Sequence, residues 1–280
     1  MPKGIILLVC EGREREPQII ANLKANFPLE HEIIVSIFGA EIYQLWKKIS
    51  EDTYLDLLEL LRETRNFDSC NDCLAGIARD DISQIFLFFD HDGHSHPEMS
   101  SGINGQPDQY DLLVRKMLST FNNETELGKL YLSYPMVEAL ADCKKDPSCC
   151  FECENLIREN ILYKENVAKR SDFSRFRDYQ RCDWEYLFGV TMMKAFCIYR
   201  DEYKIPTYKE IITIGQLELY SKHYEFFILP KQTVVSISSF PFLLLDLNNE
   251  EFFNSIINSG LFVKNCCFFC ILPHNQYMTT

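Results

Sequence analysis

The chain has 280 residues with an ordinary hydrophobic share of 46% and 41 acidic against 28 basic residues, for a formal charge of −13. That length buries a full core, the composition excludes a disordered chain, and the acidity argues against a generic sticky nucleic-acid binder while leaving room for a local basic patch. The apolar run Ile5 to Val9 is too short for a signal peptide or a spanning helix, so the chain is read as cytoplasmic, without a membrane segment, and its 12 cysteines as reduced thiols.

In chain order, Ile5 to Val9 is apolar on both faces, as a central parallel strand requires, and ends in Glu11-Gly12. Arg13 to about Phe27 then turns helical, with Ile19, Ile20, Leu23 and Phe27 forming one stripe, which opens an α/β unit. Glu32 to Phe38 predicts a second strand and Ile42 to Leu61 a long amphipathic helix. Leu74 to Asp81 predicts a short helix before a strand over Ile85 to Phe89, which ends in Asp90-His91-Asp92-Gly93. The polar stretch His94 to Gln109 is an exposed loop, Tyr110 to Phe121 a helix, Lys129 to Ser133 a strand, and Pro135 begins a helix over Met136 to Asp142.

Beyond about Lys144 the composition becomes polar and Cys-rich, then mainly helical: Glu154 to Tyr163, Asp183 to Tyr199, part of Tyr208 to Tyr224, and Asn249 to Ile257. Phe226 to Leu247 is β-like or buried, broken by Pro230 and Pro241. The expected division is 1–143 as a catalytic domain and 144–280 as a mainly helical C-terminal region.

In an open parallel sheet functional groups gather at the carboxyl ends of the strands, so Glu11, Asp90 and Asp92 converge if their strands are neighbours. Hard oxygens without a softer ligand favour Mg²⁺ or Mn²⁺ over zinc, and such an ion suits phosphodiester chemistry. His91, His94 and His96 crowd the same loop without the spacing of zinc enzymes, and His91 and His94 are candidates for assisting phosphate or proton transfer. Cys70-x-x-Cys73 and Cys149-Cys150-x-x-Cys153 have zinc-like spacing but lie too far apart for a ribbon, and ordinary thiols are the simpler reading. Lys164, Lys169, Arg170, Arg175, Arg177 and Arg181, interleaved with Phe173, Phe176 and Tyr179, form the one dense basic-aromatic stretch, a candidate for contacting a nucleic-acid backbone and stacking bases or else a solvated face.

A strand ending in Glu11-Gly12, a helix directly after it, and a later strand ending in Asp90-x-Asp92 resemble the Toprim domain of topoisomerases, primases and overcoming-lysogenization-defect type nucleases over about Lys3 to Asp142. Tyr134-Pro135-Met136-Val137-Glu138-Ala139-Leu140 resembles the acidic helix start that follows the Asp pair in Toprim proteins of bacterial phage defence. The resemblance implies a Toprim-like (Rossmannoid), largely parallel sheet flanked by helices. It implies Asp90 and Asp92 as metal ligands, Glu11 as ligand or general acid/base, and Glu138 as a supporting or second-metal carboxylate. Where relatives carry Lys or Thr after the Glu-Gly pair, this chain has Arg13-Glu14-Arg15-Glu16, and Arg13 or Arg15 is the cation available to a phosphate. The expected function is a Mg²⁺-dependent nuclease acting on DNA or RNA as an anti-phage effector; the alternative is an inert Toprim-like scaffold or regulatory subunit. The expected partners are nucleic acid, an ATPase or other defence subunit, and a second copy in a homodimer.

Overall fold

In a computed structural model the described residues are 4–52, 56–63, 73–91, 109–144, 154–156, 162–202 and 204–259. The architecture is α/β. Strands β1 (Ile5–Cys10), β2 (Ile33–Ile37), β3 (Ile82–Asp90), β4 (Asn122–Asn123) and β5 (Gly128–Ser133) form one sheet in the order β2-β1-β3-β5-β4, parallel except for β4. The apolar runs that predict central strands are the ones buried on both faces: Ile6 to Cys10 and Ile85 to Phe89 are each at most 1% exposed.

Helices cover the sheet. α1 (Arg15–Asn26) buries the Ile19, Ile20 and Leu23 stripe. The expected long helix over 42–61 is instead α2 (Ile42–Glu51) and α3 (Leu57–Glu63), separated at the extended Asp52. α4 (Gln109–Thr120) follows β3 in the chain, and residues 79–81 form a single 3₁₀ turn in place of the expected short helix. The segment after β5 is a 3₁₀ turn, Val137–Leu140, preceded by a cis Tyr134-Pro135 bond, and not an α-helix.

The C-terminal half is mainly helical: α5 (Tyr163–Arg170), α6 (Arg181–Arg200), α7 (Tyr208–Ile211), α8 (Gln216–His223), α9 (Leu229–Lys231), α10 (Phe240–Asp246) and α11 (Glu250–Ile257). A π turn spans Tyr224–Ile228, and β6 (Glu154–Leu156) pairs antiparallel with β7 (Thr233–Val235), in place of the helix expected for 154–156. The core is continuous across both halves. Phe240 of α10 stacks on Phe88 of β3 at 4.8 Å, and Phe252 of α11 meets Phe27 at 5.8 Å and Phe188 of α6 at 6.0 Å. α6 is apolar nearly all round because it is buried on nearly all sides, including Trp184, Phe188, Met192 and Phe196. No helix among the described residues is long and apolar enough to cross a membrane.

Candidate functional site

The order β2-β1-β3 makes the gap between β1 and β3 the point where the chain reverses its direction of travel across the sheet, the place where open α/β sheets bind ligands at their strand ends. Glu11 and Asp90 stand there. The Glu11 N–H donates to Phe88 O at 3.1 Å, which carries the ladder one residue past β1. The Glu11 side chain then crosses to β3, where its Oε2 accepts the Asp90 N–H at 3.1 Å. Both side chains are half-buried.

The turn that releases Glu11 is tightly made. The Gly12 N–H donates to Glu16 Oε1 at 2.8 Å, and a Cβ on Gly12 would fall 2.6 Å from the other Glu16 carboxylate oxygen, so a larger residue there would displace that carboxylate. Glu16 is itself buried, and burial followed by its charge pushes the Cys10 thiol well up.

On the other side of Asp90 the register pairs it with Ser133, whose Oγ lies 2.8 Å from Ser239 Oγ. His91 donates its N–H to Ser133 O and turns inward, 3% exposed, against Tyr110, Tyr134 and Tyr220 with ring centroids at 5.6, 5.2 and 5.8 Å. Neither ring nitrogen has a hydrogen-bond partner among the described residues, and burial pulls the His91 pKa down to about 4. His91 is therefore a core residue behind the strand end and not a substrate contact, because Tyr110, Tyr134 and Tyr220, brought in from later segments, cover its ring. Asp92 and His94 lie outside the described residues.

Glu138 is 2% exposed and faces the start of α1. Arg15 Nε is 3.0 Å from Glu138 Oε1 and Lys164 Nζ is 3.9 Å from the same oxygen. Neither carboxylate oxygen accepts a hydrogen bond among the described residues, so the Arg15 contact is short but off the hydrogen-bonding direction and its attraction is coulombic. Arg15 and Lys164 are the cations gathered around Glu138.

Four residues on stands Asp142, which the sequence reading does not single out. It is 4% exposed and accepts from Arg170 Nε at 2.7 Å, from Tyr163 Oη at 3.0 Å and from Ser236 Oγ, while buried Lys194 donates to Ser236 O at 3.0 Å. Burial alone would raise the Asp142 pKa, but the Arg170 fork and the Ser236 hydroxyl hold it below the usual carboxylate range. Arg170 is thus spent on the interior and not on a substrate. The i, i+4 spacing of Glu138 and Asp142 is the one available signal; the partners lie too far along the chain to be read from it.

The rest of the basic stretch packs onto α1. Asn22 Nδ2 donates to Arg177 O and Tyr179 O, both at 3.0 Å, Trp184 Nε1 donates to Asn22 Oδ1 at 2.7 Å, and Arg177 Nε donates to Gln18 at 3.1 Å. Phe173, Phe176 and Tyr179 are buried at 3 to 4% exposure, so they cannot stack bases; their alternation with charges is a core-facing edge. Lys169 and Arg175 stay exposed, each near an exposed acid of its own segment, and Arg13 is exposed at the turn. A separate cavity of about 690 Å³ between α2, α4 and α8, lined by Trp46, Arg115 and Ser221 among others, includes none of these residues.

Among the described residues no group of three His, Cys, Asp or Glu side chains is placed to hold one metal ion. Glu11 and Asp90 are two carboxylate residues on neighbouring strand ends, joined by the Glu11 side chain on the Asp90 N–H. Cys73 donates its thiol to Val35 O at 3.2 Å; Cys70, Cys149, Cys150 and Cys153 lie outside the described residues. Comparison with protein-family models, with curated proteins and with solved structures gave no match.

Proposed function

We propose that this chain is a metal-dependent nuclease on a Toprim-like sheet, hydrolysing phosphodiester bonds of DNA or RNA. The observation that carries the reading is the adjacency of the two acidic strand ends, with the Glu11 carboxylate seated on the Asp90 amide at the reversal point of a parallel sheet. Glu11 and Asp90 would hold Mg²⁺ or Mn²⁺, with Asp92 the expected third carboxylate. A bound divalent cation supplies charge neutralisation at a phosphate oxygen and an acidified water. Glu11 is oriented by a backbone donor before any substrate arrives, which suits a ligand or a general base. Neither member of the pair is an imidazole or thiolate that would favour zinc, and His91, the described histidine next to Asp90, faces the core.

The test is degradation of mixed DNA and RNA by the purified protein with Mg²⁺ or Mn²⁺, against Glu11→Gln and Asp90→Asn. Each variant is expected to lose at least about a hundredfold in rate. Equal rates in the variants would remove this site, and an inert wild type would favour the scaffold alternative.

A further inference from the structure

Two cations from distant parts of the chain, Arg15 at the start of α1 and Lys164 in the first turn of α5, converge on one buried carboxylate, Glu138. Two positive charges against one negative leave this trio at +1, in a chain whose total is −13. The carboxylate is 3% exposed, but the cations are 46% and 58% exposed, so the excess charge faces solvent while its anchor does not. Arg15 is held on a second side as well, its guanidinium 5.8 Å from the Phe176 ring centroid, and Phe176 belongs to the segment fastened to α1 through Asn22. A guanidinium drawn to a buried carboxylate by charge and lying near a ring face keeps its exposed N–H groups available, the fork that matches phosphate oxygens. Arg15 is the first residue of α1, four residues after Glu11, in a turn that also carries the buried Glu16.

We propose that Arg15 and Lys164, sharing Glu138 as their buried anchor, form a phosphodiester-binding subsite beside the Glu11 and Asp90 strand ends. The ligand is the phosphate backbone of a nucleic acid, and the subsite holds it next to the carboxylates; this rests on the nuclease reading. Glu138 is in this view a positioning residue acting through Arg15, and not a metal ligand.

The test is binding of a labelled, mixed-sequence single-stranded oligonucleotide in EDTA, which removes cleavage from the readout, at several salt concentrations. Arg15→Ala alone would strand a buried carboxylate and risk the fold. The double variant Arg15→Ala/Glu138→Gln removes the pair without changing net charge, and Lys164→Ala removes an exposed side chain. Lys209→Ala, an exposed lysine on α7, changes net charge away from the trio. Each subsite variant is expected to weaken binding about tenfold and to reduce the slope of log affinity against log salt by roughly 0.7 for every phosphate it no longer neutralises, with Lys209→Ala unchanged. Subsite variants that bind like wild type, a Lys209→Ala loss as large as theirs, or a wild type that does not bind would each overturn the subsite. Metal-dependent cleavage that depends on Glu11 and Asp90 would survive all three outcomes, so the nuclease reading fails or stands on its own experiment.

Discussion

Two buried polar clusters flank the end of β5, and they are built on opposite rules. Around Asp142 every group has a partner: Arg170, Tyr163 and Ser236 reach the carboxylate, and Lys194 reaches the Ser236 carbonyl. Around Tyr134, which is 0% exposed, the groups have almost none: its hydroxyl, both nitrogens of His91 and Nδ1 of His223 lack a hydrogen-bond partner among the described residues. The aromatic rings there are nonetheless close, Tyr134 to His223 at 4.8 Å and to His91 at 5.2 Å. The first cluster is a clasp that ties the turn after β5 to α5 and to the chain near β7, each polar group matched by a partner. The second is a cage packed as if apolar, so its heteroatoms act on stability chiefly through desolvation.

The contrast is sharpest for Asp142→Ala, which leaves Arg170 and the Ser236 and Tyr163 hydroxyls without their acceptor and is expected to lose about 3 kcal/mol in urea unfolding. A loss within about 0.5 kcal/mol would mean that solvent takes over the clasp.

The cage makes its own prediction through pH. His223 accepts the Val235 N–H at Nε2, at 2.8 Å, which places its proton on the unpartnered Nδ1, and burial with neighbouring His91 lowers its pKa to about 3. Unfolded, it takes up a proton near the ordinary histidine value of 6.5; folded, it stays neutral until about 3. The unfolded state therefore binds more protons throughout that window, and stability falls as pH falls through it. The His223 contribution is expected to lower stability by roughly 2 kcal/mol at about pH 5 relative to about pH 7.5, and His223→Gln, which keeps an acceptor for Val235, to flatten that slope. An unchanged slope in the variant would assign the acid sensitivity elsewhere.

The smallest effect is the most diagnostic. Tyr163→Phe removes a hydroxyl bonded to Asp142 and lying 2.9 Å from Ser236 Oγ, and is expected to cost about 1 kcal/mol. Tyr134→Phe removes one with no partner among the described residues and is expected to be neutral or to stabilise by up to about 1 kcal/mol in the same unfolding measurement. Equal losses in the two variants would erase the distinction between clasp and cage.

Much of the fold is legible in the chain because burial on both faces writes itself as unbroken apolar runs. Ile5 to Val9, Ile85 to Phe89 and Lys129 to Ser133 all lie in neighbouring parallel strands, and the stripe of α1 is where its spacing puts it. Periodicity fails where apolar residues continue through a break, as at Asp52 between α2 and α3, and where short apolar pieces suit several structures, as from Tyr224 to Asp246. The basic-aromatic stretch misleads because its aromatics line the core and its Arg170 is held by buried Asp142, and side-chain direction is not written in composition.

By itself, the sequence determined the strand ends and the acids they carry, since local patterning sets where a buried strand must stop and what stands at its end. Only the tertiary structure decided which acids are neighbours. Glu11 and Asp90, 79 residues apart, meet because β1 and β3 share a ladder, whereas Glu138 is claimed by Arg15 and Lys164 and Asp142 by Arg170. The physical reason is that a buried carboxylate takes its role from whichever donor or cation the packing brings within a few ångströms, and that choice is made between distant segments and not along the chain.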